Sequence, residues 1–180
     1  RRLFVKQVHD LGRSVIEEKT NSADMLEYRS ASCLGDLASQ DAARNAAHNA
    51  TAQYNLAATL VNWTPGDMVG DICELYGQTT DTGPQYGRGW DGYQSDLGTP
   101  VAITPTPATP AGYAPLPTGT SVDANGIIER RFTNGRVLVA PPGKSGTVTL
   151  DTTLYARIGG QELRPVTSVT LAQREGVVLL

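Results

Sequence analysis

The C-terminal third of the chain most constrains the fold, because short β-type segments alternate there with residues that favour turns. Its clearest signal is Asn134-Gly135, which lies between residues 127–133 and 136–139, two runs rich in β-branched and apolar side chains. A type I′ turn needs φ > 0 at both central residues, and Asn-Gly adopts this conformation at low cost. The sequence therefore predicts a β-hairpin with a type I′ turn at this position.

Four further segments with strand composition follow the hairpin. They are Thr147–Leu150, Leu154–Ile158, Thr167–Leu171 and Gly176–Leu180. The residues between them favour turns and include Pro141-Pro142-Gly143, Asp151-Thr152-Thr153, Gly159-Gly160 and Arg174-Glu175-Gly176. Short strands at this spacing are typical of a small sandwich, so we expect residues 122–180 to form an all-β antiparallel sandwich domain.

The N-terminal half has the pattern of an α/β unit. Apolar residues at helical spacing predict a helix over residues 1–11, and Gly12 follows where a left-handed residue commonly ends a helix. Residues 14–18 (SVIEE) are then predicted to form a short strand that ends in Glu17 and Glu18. Barrels and open α/β sheets present catalytic side chains at the carboxyl ends of strands. Glu17 and Glu18 are therefore candidate catalytic acids.

Aromatic side chains gather in and beside the middle of the chain. They are Trp63, Tyr76, Tyr86, Trp90 and Tyr93. Gly, Asp, Thr and Tyr dominate residues 64–97, which predicts long irregular loops, whereas residues 56–61 (LAATLV) fit a helix or a buried strand equally well. Two interpretations of the aromatics remain open: they stack against sugar rings, or they anchor the loops to the domain.

Prolines mark a boundary between two parts of the chain. Residues 99–121 contain six of them among Thr and Ala, at Pro100, Pro105, Pro107, Pro110, Pro115 and Pro117. Such a segment is extended and semi-rigid and builds no core of its own. We expect it to be a linker that separates residues 1–98 from residues 122–180.

Composition argues against several functions. The net charge of −3 provides no basic face, so no nucleic-acid partner is expected, and no apolar run is long enough to cross a bilayer. His9 and His48 lie far apart and no His, Cys and Asp cluster has ligand spacing, so we expect no metal and no cofactor. Cys33 and Cys73 fit one disulfide or two buried thiols. Scarce Lys beside abundant Thr, Gly and Pro favours an extracellular or cell-surface location.

The C-terminal motif resembles a known family. Residues 130–141 (RRFTNGRVLVAP), 166–171 (VTSVTL) and 176–180 (GVVLL) are similar to the C-terminal β domain of bacterial glycoside hydrolases, whose pattern is roughly R-x-F-x-N-G-x-V-L-V-N-P, V-T-L and G-x-x-L-L. Ala140 departs from the usual Asn. Residues 90–100 (WDGYQSDLGTP) resemble the run that precedes this domain, and residues 28–36 (YRSASCLGD) resemble a helix near the end of the family's (β/α)8 barrel.

This resemblance implies an α/β fold, the terminal part of a TIM-type barrel, before the sandwich, and hydrolysis of polysaccharide glycosidic bonds. A whole barrel needs about 250 residues, so a missing N-terminal segment or a homo-oligomer partner is expected to complete it. Hydrolysis usually needs two facing carboxylates. Glu17 and Glu18 are strand neighbours that point to opposite faces, so at most one serves and its partner comes from another strand. The expected substrate-binding residues are Trp63, Trp90, Asp91, Tyr93 and Asp96.

A non-catalytic function is the alternative. The chain is then an extracellular carbohydrate-binding or structural protein, in which aromatic side chains contact glycan or exposed β-strand edges pair with neighbouring copies. Two acids that converge within about 10 Å in a cleft would favour the enzyme, whereas coplanar aromatics without such a pair would favour the binding protein.

Overall fold

A computed structural model of the chain describes residues 7–13, 16–19, 53–64, 67–71, 96–111, 115–157 and 163–180. Within these ranges lie two short helices, α1 (residues 7–10) and α2 (residues 53–60). The strands are β1 (Ile16–Lys19), β2 (Met68–Asp71), β3 (Thr120–Val122), β4 (Ile128–Phe132), β5 (Gly135–Ala140), β6 (Gly146–Arg157), β7 (Leu163–Leu171) and β8 (Glu175–Leu179). The described part is therefore mostly β.

The described strands form two sheets. β1 and β2 make a two-stranded parallel sheet, in which Glu17 lies opposite Val69 and Glu18 opposite Gly70. The other six strands form one antiparallel sheet in the order β3-β4-β5-β8-β6-β7. Before β3, residues 99–101 run beside β4 and hydrogen-bond to it, with a bridge between Pro100 and Phe132. β3 and β7 end the strand order at opposite sides of the sheet.

The predicted hairpin is confirmed, but its predicted turn type is wrong. β4 and β5 pair up to Phe132 and Gly135, so Thr133 and Asn134 form the turn. Neither Asn134 nor Gly135 has a positive φ angle. Glycine is required at 135 for another reason, because a Cβ there would collide with the backbone carbonyl of Leu179 in β8. A close approach between strands, and not a left-handed turn, accounts for this glycine.

One face of the central strand pair β5–β8 packs against α2. Val137 and Val139 of β5 and Val178 of β8 belong to one buried cluster with residues of the helix and its flanks. The cluster also contains Leu56, Ala57, Val61, Leu97, Ile128 and Phe132. The ambiguous run at residues 56–61 is thus helical up to residue 60, and it is buried because it covers the sheet.

The opposite face of the same strand pair packs against the β6–β7 hairpin. Leu138, Val177 and Leu179 alternate with the residues of the first face and form a second buried cluster. The hairpin contributes Leu150, Ala156, Val169 and Leu171 to it. β6 joins the sheet where Ala156 lies opposite Leu179, and its register against β7 then shifts between Thr149 and Leu154. Beyond this irregularity the hairpin lies across the sheet.

The predicted fold class, part of a TIM barrel followed by a separate sandwich, is wrong. The described chain is mostly one six-stranded antiparallel sheet with two short helices. Asp151-Thr152-Thr153 is not a turn between two strands, because β6 runs through it as a bulged strand. Alternating apolar residues show which side of a strand is buried, but they do not show which element buries it. The same alternating pattern therefore fits a sandwich of two sheets and a single sheet whose terminal hairpin packs against its own central strands.

Arg130 ties α2 to the sheet. Its side chain is only 2% exposed, and its Nη1 donates to the carbonyls of Leu60 (2.8 Å) and Trp63 (2.6 Å) at the C-terminal end of the helix. The last carbonyls of a helix lack partners within the helix and attract cations. Nε donates to the Thr118 carbonyl at 3.2 Å, and the guanidinium lies 5.3 Å from the Phe132 ring centroid. One arginine thus joins the helix, β4 and the turn before β3.

We predict that Gly176→Ala destabilises the protein, because a Cβ at this position would lie 2.7 Å from the Cβ of Ala57 in α2. Overpacking a close helix–sheet contact costs about 1–3 kcal/mol. Urea unfolding of the full chain measures the change. Adding Ala57→Gly to Gly176→Ala removes the collision and should recover part of the loss, less the cost of a glycine within a helix. An unchanged unfolding free energy in Gly176→Ala would show that α2 does not approach β8 this closely.

Candidate functional site

The predicted catalytic acids lie on the short parallel sheet. Glu17 and Glu18 occupy the middle of β1, which the sequence correctly predicts to be a strand. The structure describes the backbone of β1 and of its neighbour β2, and the side chains of Glu17 and Glu18 lie outside the described part. Their catalytic role stays a prediction.

Two of the five predicted substrate-binding residues lie in the described part of the chain. Trp63 packs against the core cluster beneath α2, and its indole Nε1 donates to the Asp67 carbonyl at 3.1 Å. Asp96 is exposed, and its Oδ1 accepts a hydrogen bond from the Gly98 amide at 3.0 Å. Trp90, Asp91 and Tyr93 lie outside the described residues. The role of this predicted group in binding therefore stays a prediction.

His9, Thr64 and Asp67 form a compact polar cluster between α1 and the turn after α2. His9 Nε2 lies 2.9 Å from Asp67 Oδ2 and 3.1 Å from Thr64 Oγ1. The Asp67 carboxylate also accepts the Thr64 amide at 2.8 Å. A hydroxyl–histidine–carboxylate relay needs the hydroxyl and the carboxylate on different ring nitrogens. Here both contact the same nitrogen, so the cluster joins two segments and does not form such a relay.

Two carboxylates, those of Glu129 and Asp151, are linked by arginines that bond to both sides. Glu129 Oε1 accepts hydrogen bonds from Arg131 Nε (3.0 Å) and Arg136 Nη1 (3.3 Å). Arg136 Nη2 also bonds the carboxylate of Asp151, which lies at the bulge of β6. β4 and β5 place Arg131 and Arg136 opposite each other, which brings all four charges to one surface. Two arginines thus balance two acids in one network.

This network lowers the pKa of one of its members, Asp151. The hydrogen bond from Arg136 is the main cause that holds the pKa of Asp151 below its ordinary value; desolvation opposes it as the next-largest effect, and the charges of Arg136 and Arg131 lower the pKa further. A general acid in glycoside hydrolysis needs the opposite change, a raised pKa. The network is therefore suited to holding the β6 bulge against β4 and β5.

The outer face of the β6–β7 hairpin is rich in neutral groups. We call it the hairpin outer face and define it as Thr147, Thr149, Tyr155, Pro165, Ser168 and Thr170. Cross-strand pairing places Thr147 opposite Thr170, Thr149 opposite Ser168 and Tyr155 opposite Pro165. Several of their strand neighbours pack instead into or against the second core cluster, namely Val148, Leu154, Ala156, Val166, Val169 and Leu171. Tyr155 is 51% exposed, and the hydroxyls of Thr147 and Thr170 lie 2.9 Å apart.

A cleft opens at the other side of the sheet, within the segment predicted to be a linker. We call it the loop cleft. Its volume is about 260 Å³, and its lining consists of Ala102, Ile103, Thr106, Pro107, Thr109, Pro115, Leu116, Pro117, Thr118, Gly119 and Thr120. Thr120 is the first residue of β3 and is 2% exposed, and its Oγ1 has no hydrogen-bond partner. None of these described lining residues has an ionisable side chain.

The sequence alone indicates one of these two surfaces, the hairpin outer face. Hydroxyl residues alternate with apolar residues at Thr147–Thr149 and Ser168–Thr170, and period-2 alternation predicts that they share one strand face. The pairing of the two rows with each other and with Tyr155 follows only from the tertiary register. The loop cleft had no such signal, because proline-rich composition predicts an extended segment and not the folding of that segment back on itself.

Comparison of the chain with protein-family models, with curated proteins and with solved structures finds no match. The resemblance to glycoside hydrolases, the hydrolytic activity and the extracellular location therefore stay predictions. In the described ranges, no group of three or more His, Cys, Asp or Glu side chains could hold a metal ion. The described helices include none with the length and apolar character needed to span a membrane.

We predict that Arg136→Gln raises the pKa of Asp151 toward its ordinary value, because it removes the principal hydrogen bond to this carboxylate. A lowered pKa stabilises the fold above the unfolded-state pKa, and this contribution disappears as the pH falls through the folded-state value. The wild type should therefore lose more stability than the variant over that interval. Carboxyl NMR titration and acid unfolding measure both effects. Lys144→Gln removes an exposed cation elsewhere and should leave Asp151 unchanged; an equal shift in both variants would contradict a specific contact.

Proposed function

We propose that this protein binds polysaccharide without hydrolysing it and that the hairpin outer face is its contact surface. The observation that carries the proposal is the exposure of Tyr155 on the same hairpin as two paired rows of neutral hydroxyls. Polysaccharides combine apolar C–H faces with many hydroxyl groups, and a tyrosine ring beside threonine and serine hydroxyls offers a partner for both. An extended polymer also matches an extended face better than a deep cavity.

The dimensions of the face support an extended ligand. Pro165, Ser168 and Thr170 follow one another along β7, and the face from residue 163 to residue 170 spans about 23 Å at about 3.3 Å per residue. The hydroxyls of Thr147 and Thr149 run beside it on β6 at the spacing between neighbouring strands. Thus the hydroxyls form two short paired rows toward one end of this face, while Tyr155 and Pro165 lie toward the other end, beyond the register shift of β6, so an extended ligand could contact both.

The hairpin is also held in place before any ligand arrives. Its inner face contributes Leu150, Ala156 and Val169 to the core, and Tyr155 exchanges two backbone hydrogen bonds with Leu180 at 2.7 and 2.9 Å. A surface whose backbone is already ordered loses little conformational entropy on binding. Tyr155 is therefore presented from a rigid strand and not from a mobile loop.

The two described acids that share one network, Glu129 and Asp151, favour binding over catalysis. Glu129 and Asp151 are both engaged by arginines, and the pKa of Asp151 is lowered, not raised. The hypothesis of hydrolysis depends instead on Glu17, Glu18 and the resemblance of the C-terminal motif to glycoside hydrolases. The experiment below therefore measures binding and hydrolysis separately.

We predict that the purified full chain is depleted from solution by one or more insoluble polysaccharides in a panel of cellulose, chitin, xylan and starch. Tyr155→Ala should weaken this binding at least roughly fivefold, which corresponds to about 1 kcal/mol for the loss of an anchoring aromatic ring. Thr147→Val with Thr170→Val should weaken it further, because the polar groups of the ligand lose their partners. Depletion isotherms measure each affinity.

The matched control is Leu11→Ala, which removes an even more exposed large apolar side chain, located after α1. It should bind like the wild type. Equal binding by Tyr155→Ala would contradict the proposed surface, and no depletion by any polysaccharide would contradict the proposed function. Release of reducing ends by the wild type, abolished in Glu17→Gln or Glu18→Gln, would instead establish hydrolysis.

A further inference from the structure

We infer that the loop cleft is a second binding site, which takes a small neutral ligand bearing hydroxyl groups, of the size of one sugar ring or polyol. This site is independent of the proposed polysaccharide surface. It adjoins β3, whereas the hairpin outer face belongs to β6 and β7 at the other end of the strand order. The inference rests on three features of the cleft: its fixed wall, a buried hydroxyl without a partner, and an uncharged lining.

The wall of the loop cleft is held by β4. The Thr120 amide donates to the Pro117 carbonyl at 3.1 Å, which closes a tight turn. The Arg131 amide then donates to Gly119 at 2.8 Å, and Arg130 Nε donates to Thr118 at 3.2 Å. A Cβ at Gly119 would lie 2.5 Å from the Val101 carbonyl, so only glycine permits this close approach. The wall is therefore preorganised in the way that binding sites require.

Thr120 supplies the unpaired group. It lines the cleft and is almost wholly buried, and its Oγ1 has neither a donor nor an acceptor within reach. Folded proteins rarely keep a buried hydroxyl in this condition, because the lost contact with water is not replaced. A valine of nearly the same shape would avoid this penalty. The presence of threonine is explained if an occupant of the cleft bonds to the hydroxyl.

The lining defines the chemical class of the occupant. Since none of the described lining residues is ionisable, a charged ligand would lose its hydration without gaining an opposite charge from them. Apolar contacts come from Ile103, Leu116 and the three prolines, while Thr106 and Thr109 add exposed hydroxyls. The volume of about 260 Å³ is below the range of about 300–1,000 Å³ typical of drug-sized ligands. A single neutral ring with hydroxyl groups fits these limits.

Amide NMR of the full chain, titrated with methyl β-glucopyranoside and in parallel with glucuronate, tests the inference. We expect saturable shifts of the Gly119 and Thr120 amides with the neutral glycoside and much weaker ones with the anion. Thr120→Val should weaken glycoside binding roughly three- to tenfold, the effect of one hydrogen bond. The same variant should raise the melting temperature without ligand, because it removes the unpaired hydroxyl. Thr120→Ser keeps the hydroxyl and should retain the affinity.

Several outcomes would overturn the inference. Unchanged glycoside affinity in Thr120→Val would exclude the hydroxyl as a partner, and shifts that do not saturate would exclude a site. A higher melting temperature in Thr120→Val with no glycoside response in the wild type would mean that the cleft holds water alone. Tyr155→Ala should leave the cleft titration unchanged, so failure of the polysaccharide surface and failure of the cleft are distinguished.

Discussion

The structure depends on burying both faces of the strand pair β5–β8. One face is covered by α2 and the other by the β6–β7 hairpin, so Val137 and Leu138, adjacent in sequence, belong to different core clusters. Apolar burial supplies most of the driving force for folding, and a central strand buried on both sides contributes from every residue. The outer parts of the hairpin, including Tyr155, are positioned only because its inner side belongs to this core.

Close contacts at two glycines fix the positions of the helix and the strands in this packing. At Gly176 the sheet meets α2, and a side chain there would push the two layers apart. At Gly135 strand β5 meets the Leu179 carbonyl of β8, and a side chain there would separate the two strands. Arg130 then extends the order outward, because it bonds the end of α2 on one side and Thr118 in the wall of the loop cleft on the other. The candidate surfaces at the two sides of the sheet are therefore both connected to the core.

The proposed binding surfaces share a chemistry that suits neutral, hydroxyl-bearing ligands. Four charged groups of the sheet, Glu129, Arg131, Arg136 and Asp151, pair with one another, and the two surfaces themselves present hydroxyls, prolines and one exposed tyrosine. Neutral ligands lose less hydration than ions when they leave water, so such surfaces bind them without a compensating charge. In the proposed function, Tyr155 takes the sugar-stacking role that the sequence-based interpretation gave to Trp63, Trp90 and Tyr93.

The sequence by itself determined the local elements: the strands on both sides of Asn134-Gly135, the strand at residues 16–18, and the left-handed glycine after α1, whose φ is +67°. These follow from side-chain period and backbone preference, which act between near neighbours. Only the tertiary structure decided that Asp151-Thr152-Thr153 is a bulge, that the proline-rich segment lines a cleft, and that one folded sheet replaces a barrel and a sandwich. Periodicity states which side of a strand is buried; the partner that buries it is chosen by contacts between residues far apart in the chain.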